Sequence, residues 1–348
     1  MATFDSQKVV NWYHQHGRKH LPWQPISSQK GSKKQANPYH VWLSEIMLQQ
    51  TQVVKVMEYF DRFISALPTL ESLAQADEQT VMALWSGLGY YNRARNLHKA
   101  AKQCVELHQG ELPQSREALE ALSGIGRSTA AAIMSLAFDK PEPIMDGNVK
   151  RVFARQFLVK GEPNKASTLK QFWALAEQHA NQTDPAAYTQ GLMDLGATLC
   201  KKSKPDCSRC PIESSCLAKG EDVIADYPEK KKKVKQTTLN LYVRLEACSD
   251  DTLSTLQLEQ RPSKGIWPKL WFFPLYEVEP KEPPLFVITH KLTHRILQLH
   301  VYPQTHTQQN IAIKDSQSKR IQRSELLKYP HPKALTHILN HYDNHHLP

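Results

Sequence analysis

Two acidic residues occupy settings where carboxyl groups do unusual chemistry. Glu45 lies in Val41-Trp42-Leu43-Ser44-Glu45-Ile46-Met47-Leu48, which is otherwise almost wholly apolar. A carboxyl held there is desolvated, so its pKa rises and it can stay protonated near neutral pH. The bland alternative is a surface position on an amphipathic helix. Asp146 lies in Pro143-Ile144-Met145-Asp146-Gly147-Asn148-Val149-Lys150-Arg151, a short turn between two helical stretches. Alone, Asp146 could simply cap the helix that starts near Asn148. With Glu45 as a partner it completes a carboxyl pair, one member donating a proton and the other holding negative charge.

Cysteines supply the second concentration of chemistry. Cys200-x6-Cys207-x2-Cys210-x5-Cys216 places four thiols within 17 residues, while Cys104 and Cys248 stand alone. Such compact spacing suits a 4Fe-4S cluster or a tetrahedral zinc ion. Zinc sites usually split into two close pairs across a longer insert, and only one close pair is present, which favours the cluster. A third motif, Leu122-Ser123-Gly124-Ile125-Gly126-Arg127-Ser128-Thr129-Ala130, sets two glycines at the start of a helix. There the backbone can turn tightly and its amides can face a phosphate, as in a helix-hairpin-helix. An ordinary glycine C-cap is the competing reading.

The elements that must position these residues follow from periodicity. From residue 7 to about 218 apolar residues recur at three and four spacing with Pro or Gly breaks, predicting an all-α region. Trp42, Ile46, Val53, Met57 and Phe60 keep helical intervals, and shorter helices are expected over 77–85, 93–107, 115–122 and 167–180. Residues 26–37 carry no periodicity and read as an exposed loop, in which Lys30, Lys33 and Lys34 would more readily be surface than DNA contacts. Lys230 to Lys233 with Lys235 read as a linker. Beyond it, β-like runs at 239–245, 255–260, 271–276 and 285–289 predict a smaller α+β domain. His337, His341, His345 and His346 read as a solvated polar face.

The chain has 348 residues, long enough for two domains. With 40% apolar and 22% charged residues it fits neither a disordered chain nor a membrane bundle. Neither a signal peptide nor a spanning stretch stands out, so a cytoplasmic location is expected. A net charge of +10 fits a polyanionic partner, and equally a merely soluble basic surface.

Together the hairpin, the following aspartate and the cysteine spacing resemble the endonuclease III superfamily of DNA glycosylases. Residues 42–52 and Gly87-Leu88-Gly89-Tyr90-Tyr91 resemble its adenine-specific, MutY-type members. The match runs from about residue 12 to 216 and more loosely beyond. The resemblance implies a mainly α glycosylase region at 1–225, with a helix-hairpin-helix, a six-helix barrel and a 4Fe-4S loop at 200–216. A linker at 226–237 and an α+β Nudix-like domain at 238–348 would follow. It also implies a monomer acting on double-stranded DNA with adenine opposite 8-oxoguanine or guanine, in the cytoplasm or nucleoid.

Residue roles follow from the same resemblance. Glu45 matches the acid that protonates the adenine ring, Asp146 the carboxylate that stabilises an oxocarbenium sugar, and Asn148 a residue that organises the pair. Lys19, Trp23, Leu48 and Gln190 match positions around the extruded adenine. Ser128 stands where strand-cutting relatives carry a Schiff-base lysine, which implies a monofunctional enzyme leaving an abasic site; Lys150 lies outside that nucleophile position. Gly124, Gly126, Arg127 and Lys150 match the DNA-backbone contacts. Gln50, Thr51, Leu88 and Tyr90 match residues beside the opposite base, as do Leu292, Thr293 and His294 in His290-Lys291-Leu292-Thr293-His294. Leu292 replaces a phenylalanine common in bacterial relatives, and the acidic hydrolase helix of Nudix enzymes is absent. Rival readings are a pyrimidine or mismatch thymine glycosylase, disfavoured by the Glu45 motif and the appended domain, and a non-catalytic zinc module.

Overall fold

The structure, a computed structural model, describes residues 4–24, 36–229, 236–246, 253–303 and 317–346. The expected loop at 26–37, apart from Ala36 and Asn37, and the lysines of the linker run lie outside the described residues. The chain forms two compact units, Met1–Gln75 with Asn96–Lys232, and Ala76–Arg95 with Lys233–Pro348. Residues 76–95 thus group with the C-terminal unit, although the helical pattern runs unbroken through them. Among the described residues no helix is long and apolar enough to cross a membrane.

The first unit is helical, and its helices start where capping residues satisfy the free amides. Asp5 caps Ser6–His16, Asn37 caps Pro38–Leu48 with a proline in its first turn, and Asp184 caps Pro185–Thr198. The helical interval expected through 42–60 is interrupted: one helix ends at Leu48 and another, Val53–Ala66, begins five residues later. Gln50 between them has φ 59°, a left-handed conformation that an α-helix cannot continue through. Further on come Arg127–Phe138, Gly147–Gln156 and Ala166–Gln178, then short 3₁₀ turns across the cysteine segment. Phe4, Val9, Val149, Phe153, Phe172, Leu192 and Leu195 are buried together and lock the first, Gly147–Gln156 and Pro185–Thr198 helices into one core. Two of these helices approach at Gly196, where an added Cβ would lie 2.6 Å from the Asn148 Cβ. Only glycine permits that closeness, which sets a backbone beside the residues of the acidic turn.

In the second unit Asp77 caps the helix Glu78–Leu84. Beyond residue 236 the unit holds a four-stranded sheet and a three-stranded sheet. Thr237–Leu245 is central in the larger sheet, running parallel to Arg295–Pro303, with Leu275–Tyr276 on its other side and Phe286–Lys291 at the far edge. The smaller sheet joins Trp271–Phe272, Thr255–Gln260 and Ser318–Gln322. Arg295–Pro303 went unread in the sequence although Leu297, Leu299 and Val301 alternate with Gln298 and His300, and Ser318–Gln322 buries only Ile321, too little for an alternation to show. Leu245, Leu258, Trp271, Leu299, Ile338 and Leu339 form the core between sheets and the helix Lys333–His346. That α+β architecture agrees with the sequence reading. Its histidine face is less solvated than expected: His337 packs edge-on against His290, and His341 lies 4.4 Å from both Phe286 and His345.

Candidate active site and cysteine cavity

Glu45 projects from a helix whose Trp42, Leu43, Ser44, Ile46 and Met47 are all buried. Its carboxyl pKa is pushed up to about 7, first by burial and then by the negative charge of Asp146. Glu45 nevertheless keeps some accessible surface. The two acids, 101 positions apart in sequence, therefore share one electrostatic environment.

Asp146 satisfies both sequence readings at once. It caps Gly147–Gln156, accepting from the Val149 amide at 2.7 Å, and it accepts a second bond from Asn148 Nδ2 at 3.0 Å. Burial raises its pKa, while these bonds and the Arg151 charge pull the other way. The shift of Glu45 comes from burial and the Asp146 charge, with no opposing hydrogen bond, which favours the pair's shared proton on Glu45 and the charge on Asp146.

Two arginines that sequence reasoning left unassigned extend this site. Arg151 Nη2 donates to Asn148 Oδ1 at 2.8 Å and to the Gly196 carbonyl at 2.7 Å, while its Nε donates to the Cys200 carbonyl at 2.7 Å. Arg155 Nη1 reaches Cys200 Sγ at 3.3 Å, and its Nε reaches the Tyr227 carbonyl at 2.9 Å. The three-and-four spacing of 148, 151 and 155 on one helix was the available signal. A hydrogen-bonded path thus runs from Asp146 through Asn148 and Arg151 to the backbone of a clustered cysteine.

Cys200, Cys207, Cys210 and Cys216 line one cavity together with Arg155 and Lys219. All four are free of disulfides. Burial pushes the Cys210 thiol up to about 12 and also raises Cys207 and Cys216, with the neighbouring thiols adding to each. Four sulfurs so placed become thiolates together only around a cationic centre. Among the described residues no three His, Cys, Asp or Glu side chains converge as a site for a single metal ion.

Gly124 has φ +79° and Gly126 caps the helix Arg127–Phe138, so the paired glycines make the tight turn their spacing predicts. Both are exposed and Ser128 lies in that helix's first turn. Arg127 is engaged within the protein, 4.0 Å over the Trp173 ring and paired with Glu177. Lys150 donates to Asn164 Oδ1 at 2.8 Å; burial lowers its pKa, against the pull of Asp146.

Gln190 is buried and donates to Asp194 at 2.9 Å. Asp194 also accepts from the backbone and guanidinium of Arg18, the neighbour of Lys19. Lys19 is exposed and donates to the His14 carbonyl. Trp23 is buried edge-on against Phe60 at 5.3 Å, and Leu48 is half-buried at its helix end. Gln50 is exposed, and Thr51 donates its amide to the Leu48 carbonyl at 3.2 Å.

Within the second unit, Tyr90 has φ 49° and lies with its hydroxyl 3.1 Å from Thr293 Oγ1. Tyr90 is 49% exposed, whereas Leu88 is buried at 6%. The Leu292 amide closes a turn onto the Arg295 carbonyl at 2.8 Å, leaving Thr293 and His294 exposed. Leu292, Thr293 and His294 line an open pocket with Gly265, Ile266 and Trp267. Trp267, which the sequence reading passed over, is a further aromatic at this surface.

Comparison with known proteins gives a coherent result. Residues 43–178 match the family described as HhH-GPD superfamily base excision DNA repair protein. The chain is 38% identical over 277 residues to the adenine DNA glycosylase of Buchnera aphidicola subsp. Schizaphis graminum, covering 79% of this chain and 76% of that one. It is 41% identical over 212 residues to the human adenine DNA glycosylase, covering 61% and 38% respectively. Among solved structures, a thermostable thymine-DNA glycosylase superposes with a TM-score of 0.54 at 26% identity, covering 62% of this chain and 95% of that one.

Glu45 makes a specific claim on stability. Its folded pKa of about 7 exceeds the ordinary 4.5, so the native state holds a proton that the unfolded chain has released between those values. Stability from this group is complete below pH 4.5, falls as pH rises through 7, and is flat above. Glu45→Gln removes that slope. Thermal unfolding is expected to show the variant more stable than wild type at pH 8, with the difference shrinking toward pH 5; a pH-independent difference would contradict the assignment.

Proposed function

The chain belongs to the adenine DNA glycosylase family, and on that premise we propose that it hydrolyses the N-glycosidic bond of adenine mispaired with 8-oxoguanine or guanine in double-stranded DNA. The observation that carries this reading is a carboxyl raised to about 7 beside a second carboxyl that draws three local hydrogen bonds. Glu45 gives its proton to a ring nitrogen of the extruded base, making adenine a neutral leaving group. As the C–N bond breaks, ionised Asp146 faces the positive charge that develops on the sugar. Water adds its oxygen to the sugar carbon and its proton returns to the carboxyl pair. Asn148 keeps Asp146 aimed while Arg151 keeps Asn148 aimed.

Ser128 offers no amine, and the Lys150 ammonium is turned to Asn164, so the product is an abasic site rather than a cut strand. Lys19, Trp23, Leu48 and Gln190 border the extruded base in this reading, and the exposed amides at Gly124 and Gly126 meet phosphate. The bond between Tyr90 and Thr293 supports a shared role for those two at the opposite base, with Leu292 and His294 beside Thr293; Gln50 and Thr51 in the first unit, and Leu88 in the second, are further opposite-base residues in this reading. The C-terminal unit acts as a Nudix-like lesion reader without pyrophosphatase chemistry. The protein works as a monomer where the DNA is, in the cytoplasm or nucleoid.

The four cysteines fit a 4Fe-4S cluster, since they enclose a common cavity beside Arg155 and Lys219. Bound there, the cluster would order the loop that carries Lys201, Lys202, Lys204 and Arg209 toward phosphates. The purified protein is expected to show the broad visible absorption of iron-sulfur centres, and Cys207→Ser to lose it. A colourless protein retaining stoichiometric zinc would overturn the cluster.

Activity is tested with duplexes carrying adenine opposite 8-oxoguanine, treated with protein and then alkali. Wild type is expected to yield alkali-labile sites, with little product before alkali and no borohydride-trapped complex. Glu45→Gln and Asp146→Asn are each expected to lower the single-turnover rate by at least about 100-fold. Normal turnover by Glu45→Gln, or processing of thymine opposite guanine in preference to adenine, would contradict the reading.

A further inference from the structure

Asp194 is a carboxylate with no accessible surface, on the same helix as Gln190 and one turn beyond it. The Arg18 amide donates to one of its oxygens at 2.8 Å; the Arg18 Nε at 2.9 Å, the Arg18 Nη2 at 2.5 Å and Gln190 Nε2 at 2.9 Å donate to the other. With a guanidinium and a backbone amide donating to it, this carboxyl serves as an acceptor at both oxygens. The chemistry therefore dictates which end of the Gln190 amide faces it: the NH₂ must, because a carbonyl would set lone pair against lone pair. Oε1 is left as the atom with no partner among the described residues.

We propose that Asp194 is a specificity-determining positioning residue: it fixes the Gln190 amide so that only the carbonyl oxygen is offered to the extruded base, an acceptor that selects an exocyclic amino group and rejects a keto oxygen. The inference rests on the reading that Gln190 borders the extruded adenine. Without a fixed partner a glutamine amide is ambidextrous, since rotation by half a turn exchanges donor for acceptor. Anchored through Nε2, it reads one pattern. A base with an amino group at the six position gains a hydrogen bond, and one with oxygen there meets an unpaired acceptor, which is the costly mismatch in a buried site.

Arg18 also matters to the frame, because Gln24 Nε2 donates to the Arg18 carbonyl at 2.8 Å and so ties down the segment between Lys19 and Trp23. A purely structural role for Asp194 would act through this segment and slow every base alike. A role in orienting Gln190 would change the choice between bases.

Asp194→Ala separates the two. It removes the oxygen on which Gln190 Nε2 and the Arg18 guanidinium converge, so the Gln190 amide is free to turn its NH₂ toward the base. Full-length, cluster-loaded protein is assayed in single turnover on duplexes with adenine or hypoxanthine opposite 8-oxoguanine. The adenine-to-hypoxanthine rate ratio of Asp194→Ala is expected to fall about tenfold below wild type. Asp194→Asn, whose remaining oxygen stays with the guanidinium and Gln190 while its NH₂ meets the Arg18 amide, should keep the wild-type ratio even if both rates fall. An unchanged ratio in Asp194→Ala, with both rates falling together, would overturn the proposal. Should Asp194→Ala not fold, Gln190→Met supplies the same test: its ratio must fall, and a ratio left intact overturns the proposal equally. Wild-type protein that releases no adenine would instead overturn the underlying function, and this assignment with it.

Discussion

The proposed chemistry turns on keeping a proton on Glu45 while its neighbour Asp146 stays charged. Neither burial nor charge would do this alone. Burial raises both carboxyls, so without further discrimination the pair would hold its proton indifferently. The helix start supplies the discrimination: the Val149 amide and the Asn148 side chain donate to Asp146, and a helix N-terminus favours the anion. Glu45 sits on a helix flanked by buried apolar side chains and draws no comparable help. The asymmetry between an acid and an anion is thus built from local backbone geometry.

That geometry needs support at a distance. Gly196 lets one helix backbone come against Asn148, and Arg151 spans the two helices and the cysteine segment with three hydrogen bonds. Arg155 adds bonds to Cys200 and to the carbonyls of Lys201 and Tyr227. Ordering of the cysteine loop and aim of the Asp146 carboxyl are therefore mechanically linked. A segment rich in turns and poor in buried apolar residues gains definition from two buried or half-buried arginines whose charges face thiol sulfur and carbonyl oxygens.

Much of this was legible in the sequence for identifiable reasons. The Asp146 cap, the glycine turn at 124–126 and the shared cavity of the four cysteines all arise from short-range spacing. So does the burial around Glu45, since an apolar run on one helix announces a desolvated position. What escaped involves long-range pairing. Ser318–Gln322 has a single buried apolar residue, Ile321, and so no readable alternation, while the alternation of Leu297, Leu299 and Val301 in Arg295–Pro303 was present but passed over. The break after Leu48 rests on one left-handed residue, Gln50, that is not a glycine. The grouping of residues 76–95 with the C-terminal unit, sealed by bonds such as Tyr90 to Thr293 and Ser86 to His331, leaves no trace in local periodicity. Asp194 and Arg18 meet across 176 positions and could not be paired by eye.

The central claim concerns where one proton resides, and carboxyl carbon NMR on selectively labelled glutamate, with Glu45→Gln to assign the resonance, observes it directly. The account requires the Glu45 carboxyl to titrate with a midpoint near 7, and that midpoint to fall in Asp146→Asn, where the neighbouring negative charge is gone. A midpoint near the ordinary 4.5, unmoved by Asp146→Asn, would mean that Glu45 is neither desolvated nor coupled to Asp146, and the account would not stand.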